Sequence, residues 1–205
     1  MKTKGLVKDP LNLVVAGVAG QGNVVISQML GNALVSAGYK IVFGQSFGSN
    51  QRGGSVRNYL RISEEVMYSP IVPTGKADII VSMEPVEALR MLTDFGNPSV
   101  VTLLNPRVLS ARNSTIDMAA LLDNIRKLSA CLITIEATDE ALKLGNSMLA
   151  NIILVGAIIG IGLLPVTKDA IIADLKERFP RAVDMNLRAL DRGLELVRGQ
   201  NNNWI

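Results

Sequence analysis

The stretch Leu11–Val25 reads L-N-L-V-V-A-G-V-A-G-Q-G-N-V-V, and it decides what kind of fold the chain adopts. It begins with an apolar run, stops at Gly17, Gly20 and Gly22, and continues into a segment whose apolar residues recur at helical spacing. This order predicts a buried strand that turns sharply into a helix, with glycines where backbones approach closely. Because the first N–H groups of a helix have no partner within it, the turn is also a candidate anion site.

Strand and helix patterns alternate along the first two thirds of the chain and then give way to helices alone. Strands are predicted at 39–43, 55–62, 77–83, 99–104 and 130–135, and helices at 21–37, 86–92, 118–128, 139–144, 147–163, 168–179 and 184–197. Residues 67–73, limited by two prolines, predict a short edge segment. The order predicts an α/β, Rossmann-like fold: a doubly wound, mainly parallel sheet with helices on both faces and a helical C-terminal region. We expect a single domain over 1–205, with an α/β core at 10–136 and its helical part at 137–198.

Two scarce residue types limit the chemistry that this chain can carry out. Its 205 residues include no histidine and one cysteine, Cys131. The usual general base and the commonest metal ligand are therefore missing, and one cysteine cannot hold zinc or an iron–sulfur cluster. Glu84 and Glu87 fall in a first helical turn, where acids interact with the helix dipole in an ordinary way. We expect no metal centre and no catalytic residue in this chain.

Charge and the N-terminal sequence give two further expectations. The net charge of +3 is scattered along the chain without a basic block, which argues against nucleic acid as a partner. The N-terminus M-K-T-K-G-L-V-K-D-P lacks the apolar segment of a signal peptide. We therefore expect a cytoplasmic protein.

The run Met148–Leu164 is almost wholly apolar and has to be weighed as a membrane span. A transmembrane helix needs about 20 apolar residues, whereas this run is shorter and contains Asn151 and three glycines. It predicts a helix buried within the protein rather than a membrane span. Gly156 and Gly160 give this helix a smooth face, which we expect to press on the chain's own sheet or on another subunit. The second case includes self-association of the isolated chain.

The glycine turn that follows the first strand has three interpretations. Its glycines are spaced G-x-x-G-x-G, whereas a dinucleotide site spaces them G-x-G-x-x-G, and no acidic residue ends the second strand to bind a ribose hydroxyl. A self-sufficient nicotinamide or flavin site is therefore the least favoured interpretation. The others are a tight turn required by packing, and a loop presented to a ligand or partner that another protein largely holds.

A second loop rich in glycine, Gly44–Gly54, carries Arg52 between flexible segments. Its guanidinium is a planar fork of donors suited to carboxylate or phosphate, although a solvated surface arginine is the blander interpretation. The next strand adds Arg57 and Arg61 on one side, where alternation with a period of two predicts a face in water or against a partner. The three arginines are either a small positive strip or an ordinary solvated face.

Five short motifs occur in a fixed order along the chain. They are G-V-A-G-Q-G-N at 17–23, N-Q-R-G-G-S-V at 50–56, S-P-I-V-P at 69–73, A-D-I-I-V-S-M-E-P-V-E-A-L-R at 77–90 and G-N-S-M-L-A-N at 145–151. Together they resemble the gamma-type subunit of 2-oxoacid:ferredoxin oxidoreductases, from about Leu11 to Val197. The Q-R-G-G form with S-P-I-V-P is most similar to the beta subunit of indolepyruvate:ferredoxin oxidoreductase.

Two positions depart from the pattern of the family. Many relatives have glycine where this chain has Ala19, and a methyl group there narrows the closest approach to the backbone. Indolepyruvate-type relatives usually have H-G-M-A where this chain has F-G-S-N at 47–50. The identity of the substrate therefore stays open, with another aromatic or branched 2-oxoacid as the alternative to indolepyruvate.

The resemblance implies an enzyme complex of 2-oxoacid (pyruvate-type) metabolism. Such a complex decarboxylates a 2-oxoacid oxidatively with coenzyme A as co-substrate and gives an acyl-CoA, carbon dioxide and reduced ferredoxin. Thiamine diphosphate and iron–sulfur clusters are expected in a larger partner subunit, so that this chain binds no cofactor alone, is inactive when isolated and meets ferredoxin only through the complex. The residues expected to face CoA or the partner are Gly20, Gln21, Gly22, Gln51, Arg52, Gly53 and Gly54. The alternative is a stand-alone nucleotide-binding oxidoreductase that uses the turn Gly17–Gly22.

Overall fold

Six strands form one sheet in the computed structural model, which describes residues 5–48, 54–108 and 116–198. The strands are β1 (Leu11–Val18), β2 (Lys40–Phe47), β3 (Ser55–Ser63), β4 (Ile79–Ser82), β5 (Val101–Leu104) and β6 (Cys131–Thr134). Their order in the sheet is β2-β3-β1-β4-β5-β6. β1, β4, β5 and β6 are parallel, whereas β3 is antiparallel to both of its neighbours. The parallel part is the one predicted, and the β2–β3 hairpin is its antiparallel extension.

Seven α-helices are found within the described residues. They are α1 (Asn23–Ser36), α2 (Pro85–Phe95), α3 (Met118–Leu128), α4 (Ala137–Lys143), α5 (Ala150–Ile161), α6 (Lys168–Arg178) and α7 (Val183–Val197), and a 3-10 turn (Ser147–Leu149) precedes α5. Side chains fix several starts: Glu84 accepts from the N–H of Glu87 at the start of α2, and Asp117 caps α3 in the same way. The helix predicted at 147–163 is thus a 3-10 turn followed by α5, which ends at Gly162.

Helices cover both faces of the sheet, as the sequence predicts. Side chains alternate along β1, so that Leu13 and Val15 point to one face while Val14 and Ala16 point to the other. The first face packs on α1 and on the helices from α4 to α7, and the second packs on α2 and α3. The α/β fold with a helical C-terminal region is therefore confirmed.

The most apolar helix, α5, is buried in the protein. Its glycine face packs on α7: a Cβ atom at Gly156 would lie 3.0 Å from Cα of Gly193 and against the carbonyl oxygen of Leu190. The sequence pointed to the sheet or another subunit as the partner of this face, and a helix of the same chain takes that place. Among the residues described, no helix combines the length and the apolar character required to cross a bilayer.

Two predictions about the β2–β3 region are wrong. Tyr59 and Arg61 are only 4% and 9% exposed, so the chain itself covers most of the face of β3 that was expected in water or against a partner. The reason is that Tyr59 packs against Phe95 of α2, while the segment 67–73 lies over Arg61 instead of forming an edge strand. Arg61 Nε donates to Asn12 Oδ1 (3.0 Å) and its guanidinium lies over the ring of Tyr68.

Candidate functional site

The turn between β1 and α1 has a backbone that favours glycine at two positions. Gly20 has φ +97° and Gly22 has φ +85°, both in the left-handed region. Around Gly20 there is open space, because a Cβ atom there would have no neighbour within 4 Å. Gly22 is crowded, because a Cβ atom would contact the buried amide of Asn151. The turn is therefore closed towards α5 and open on the side of Gly20.

Side-chain amides hold this turn in place from within the chain. Gln21 Oε1 accepts from the N–H of Val18 (2.6 Å), and Gln21 Nε2 donates to the carbonyl of Met83 (3.2 Å). Asn23 Nδ2 donates to the carbonyl of Val18 (3.2 Å). The end of β1 is in this way joined to the end of β4, and both amide atoms of Gln21 are engaged inside the chain.

The β2–β3 hairpin meets the turn at its base. The N–H of Ala19 donates to the carbonyl of buried Gly54 (2.9 Å), which extends the pairing of β1 with β3 into the turn. The structure thus brings Gly20, Gly22 and Gly54 to one place, with Gln21 beneath them. Of the other predicted site residues, Gln51, Arg52 and Gly53 lie outside the described residues.

A cleft of about 710 Å³ opens between the turn and the hairpin. Its walls are formed by Ala19, Gly20, Gly22, Asn23, Val24, Phe47, Gly48, Ser55, Val56 and Met148. A smaller cleft of about 310 Å³ shares Gly20 and Met148 with it and reaches Arg107 and Thr138. No described residue of the larger cleft titrates near neutral pH, so its walls supply apolar contact, the N–H groups at the start of α1 and one hydroxyl. These groups are suited to binding a ligand.

Two buried carboxylates behind the cleft have contacts that the sequence did not reveal. Ser55 Oγ donates to Glu87 Oε2 (2.5 Å), and Arg90 Nη1 donates to Glu87 Oε1 (2.9 Å). Glu84 is fully buried and caps α2, as helix-end electrostatics predicts for an acid at that place. The sequence could not predict the contact between Glu87 and β3, because this contact depends on where α2 crosses β3. Glu87 links a residue of the cleft wall to α2.

The predicted positive strip is not formed by Arg57 and Arg61. Arg57 Nη1 donates to Asp94 Oδ2 on α2 (2.9 Å), and Arg61 is buried against Asn12 and Ser69. Both guanidinium groups therefore have partners within the chain, and their role is to hold β3 to its neighbours.

Two amide oxygens beside the turn lack a donor among the described residues. They are Oδ1 of Asn23 and Oδ1 of Asn151, in side chains of residues that are 2% and 4% exposed. A buried acceptor without a hydrogen bond costs about 1–3 kcal/mol. The sequence marked Asn151 only as a polar residue in an apolar helix. Its place against Gly22 makes it part of the support of the turn.

Cys131 and the acidic residues provide no metal site in the described part of the chain. No group of three or more histidine, cysteine, aspartate or glutamate side chains lies together there. Cys131 is half-buried near the opposite end of the parallel strands, and burial raises the pKa of its thiol. The thiol therefore stays protonated at neutral pH.

The fold of this chain is shared by solved structures. The pyruvate oxidoreductase subunit PORC of Thermotoga maritima has a TM-score of 0.68 at 23% identity, covering 92% of this chain and 97% of that one. The 2-oxoglutarate:ferredoxin oxidoreductase of Magnetococcus marinus, solved with 2-oxoglutarate, coenzyme A and succinyl-CoA bound, has a TM-score of 0.74 at 18% identity. It matches over 93% of this chain and 31% of its own. The chain thus has the α/β fold of a 2-oxoacid oxidoreductase subunit.

The sequence then gives the family. Residues 12–196 match the family model described as pyruvate ferredoxin/flavodoxin oxidoreductase, and the chain belongs to this family of oxidoreductases. The protein named indolepyruvate oxidoreductase subunit IorB of Thermococcus kodakarensis is 33% identical over 195 residues, which are 91% of this chain and 96% of that protein. The resemblance seen in the five motifs is confirmed.

Proposed function

We propose that this chain is the small subunit of an indolepyruvate-type 2-oxoacid:ferredoxin oxidoreductase. The complex would decarboxylate an aryl or branched 2-oxoacid oxidatively with CoA and give an acyl-CoA, carbon dioxide and reduced ferredoxin. The observation that carries the proposal is the cleft at the β1–α1 turn, whose described walls offer contacts for a ligand but no titrating group. The near-complete overlap with the Thermococcus protein, named an indolepyruvate oxidoreductase subunit, supports the choice of type.

In this proposal the reacting groups belong to a larger partner subunit in the cytoplasm. That subunit carries thiamine diphosphate and the iron–sulfur clusters and passes electrons to ferredoxin. Support comes from the chemistry of the chain, which has no histidine and one cysteine. A chain of this composition fits a role in enclosing and orienting a substrate that another subunit converts.

We assign the open side of the turn to CoA or to the surface of the partner. Gly20 allows backbone approach, since a Cβ atom there would have no neighbour within 4 Å, and the N–H groups that begin α1 favour a phosphate. Gly22 and Gly54 set the shape of the turn, while Gln51, Arg52 and Gly53 are assigned to the same face on the resemblance alone. Gln21 would act by holding the turn, because its amide is engaged with Val18 and Met83.

Purification of the tagged chain from its source tests the proposal. We expect a larger, iron-containing chain to co-purify and the complex to oxidise indolepyruvate with CoA, faster than it oxidises phenylpyruvate or branched 2-oxoacids. Isolation of the chain without such a partner, combined with saturable binding of NAD(P) or a flavin, would instead establish the stand-alone nucleotide-binding enzyme.

A pair of alanine variants tests the open side of the turn. Gly20→Ala and Gly162→Ala both place a methyl group at a positive φ, with no neighbour within 4 Å, so their backbone strain is similar. Gly162 ends α5, away from the cleft. We expect Gly20→Ala to raise the KM for CoA or weaken assembly of the complex, and Gly162→Ala to change neither. Equal kinetics and assembly for the two variants would remove Gly20 from the site.

A further inference from the structure

β2 is an edge strand whose outer side is unpaired in the described structure. It stands first in the sheet order and pairs along its eight residues only with β3. The pairing is regular from Lys40 opposite Ser63 to Phe47 opposite Val56, with no bulge. A regular edge of this length presents a row of backbone N–H and C=O groups to a further strand.

The hydrogen-bond pattern shows which residues direct these groups outward. The N–H of Gly48 donates to the carbonyl of Ser55 (2.8 Å), which fixes the alternation along the antiparallel pair. The even-numbered residues of β2 therefore bond to β3. The residues whose N–H and C=O point away from the sheet are Ile41, Phe43, Gln45 and Phe47.

Beyond Lys40 at its start, the edge has none of the charged residues, prolines or bulges that usually prevent strand addition. Residues 41–47 read I-V-F-G-Q-S-F and contain neither a charged residue nor a proline. Two phenylalanines flank the edge on one face, and they are 41% and 64% exposed at positions 43 and 47. Natural edge strands are commonly blunted by lysine, proline or a bulge. The outer side of β2 is therefore available for pairing with a further strand.

We propose that β2 pairs antiparallel with β2 of a second copy of this chain, about a two-fold axis at Gly44. Ile41 of one copy then lies opposite Phe47 of the other, and Phe43 lies opposite Gln45. The four outward residues of each copy exchange about eight backbone hydrogen bonds across the axis, within the usual number for a specific interface of about 10. The two six-stranded sheets become one continuous sheet.

The sequence of the edge favours a second copy as the occupant. The outward residues are arranged symmetrically around Gly44, so that an isologous contact uses every one of them. No like charges meet, because 41–47 carries no charge and Lys40 falls opposite Gly48. Gly44 lies at the axis, where the two backbones approach most closely, at about 4.5 Å between Cα atoms. The inference stands independently of the proposed function.

Disulfide trapping tests both the pairing and its register. In the proposed dimer, residue 42 lies opposite residue 46 as a non-hydrogen-bonded pair, whose Cα spacing of about 4.5 Å suits a disulfide. We would combine Val42→Cys and Ser46→Cys in the full chain with Cys131→Ser as background. Mild oxidation should give a covalent dimer from the double variant, whereas neither single-cysteine variant should form a covalent dimer. Absence of a covalent dimer from the double variant would overturn the proposal.

Sedimentation of charged variants provides a second, independent measurement. Phe43→Lys places two lysines diagonally across the axis, about 7–8 Å apart. Leu128→Lys is the matched control, since Leu128 is 45% exposed at the end of α3 and remote from β2. We expect the wild type and the control to be dimeric and Phe43→Lys to dimerise at least about tenfold more weakly. A monomeric wild type would refute the proposal.

Discussion

Gly20 and Gly22 have similar backbone angles but different surroundings, so alanine substitutions separate strain from crowding. Each variant places a side chain in the left-handed region, which costs about 1–2 kcal/mol. For Gly20→Ala this is the whole expected cost, because the space around it is open. For Gly22→Ala the new Cβ atom would also lie 3.1 Å from Cγ and 3.3 Å from Cβ of Asn151. Overpacking of a buried site adds about 1–3 kcal/mol, so we expect a total of about 2–5 kcal/mol.

Asn151 cannot yield to the new methyl group by rotation alone. Its residue is 4% exposed in α5, and both its Cγ and its anchored Cβ lie too near to the place that the methyl group would take. Asn151→Ala removes the amide, so Gly22→Ala should cost less in that background. The double-mutant cycle should show a coupling of about 1–3 kcal/mol between the two positions.

Urea unfolding of the four proteins measures these free energies at equilibrium, with circular dichroism as the signal. Gly20→Ala serves as the control for strain without crowding. Crowding by Asn151 is refuted if Gly22→Ala and Gly20→Ala cost the same free energy of unfolding within about 0.5 kcal/mol, or if the substitutions at Gly22 and Asn151 are simply additive.

Two further predictions concern the packing and the ion pairs of the helical part. Gly156→Ala should destabilise the protein by about 1–3 kcal/mol, because α5 must move away from α7. Gly31→Ala is the control: its new Cβ atom would lie 3.7 Å from the nearest neighbour, so this variant should be more stable than the wild type by about 0.5–1 kcal/mol. Equal free energies of unfolding for the two variants in urea would contradict this prediction. A hydrogen bond from Arg192 and one from Lys143 hold the pKa of Glu140 below its ordinary value. These contacts therefore stabilise the fold above the unfolded pKa of about 4.3, and their contribution is lost as pH falls through the folded pKa. Glu140→Gln should therefore lower the melting temperature at pH 7 but barely at acid pH. Asp123→Asn is the control: the pair of Asp123 with Lys127 is exposed and screened by solvent, so its loss should barely change the melting temperature at either pH.

Much of the sheet and its helices could be predicted because their signals are local. The helix at 118–128 begins and ends as the periodicity predicts, and Asp117 supplies its cap. The burial of Arg61 could not be predicted, because it depends on the non-periodic segment 67–73 folding back over the hairpin. Alternation in β3 showed correctly which residues share a face, but it could not show what covers that face.

The sequence predicted the turn on which the candidate site residues lie, but it did not predict the residues that support this turn. Gly20 and Gly22 were marked by composition, since a sharp strand-to-helix turn requires glycine. Asn151, 129 positions further along the chain than Gly22, supports the turn through a contact that no spacing rule indicates. Glu87 is a second support that no spacing rule indicates, because its hydrogen bond with Ser55 joins residues 32 positions apart. Supports of this kind arise from tertiary packing and leave no periodic trace in the sequence.

The contacts around the turn explain how a subunit without reacting groups can serve an enzyme. Two hydrogen bonds and one packing contact within the chain fix the turn on three sides: Gln21 joins it to Met83, Ala19 joins it to Gly54, and Gly22 packs against Asn151. The fourth side, at Gly20, is open. A surface ordered before binding loses little conformational entropy when a ligand or partner arrives. In the proposed complex the chain would therefore contribute a rigid wall at low entropic cost, while bond making and breaking take place on the larger subunit.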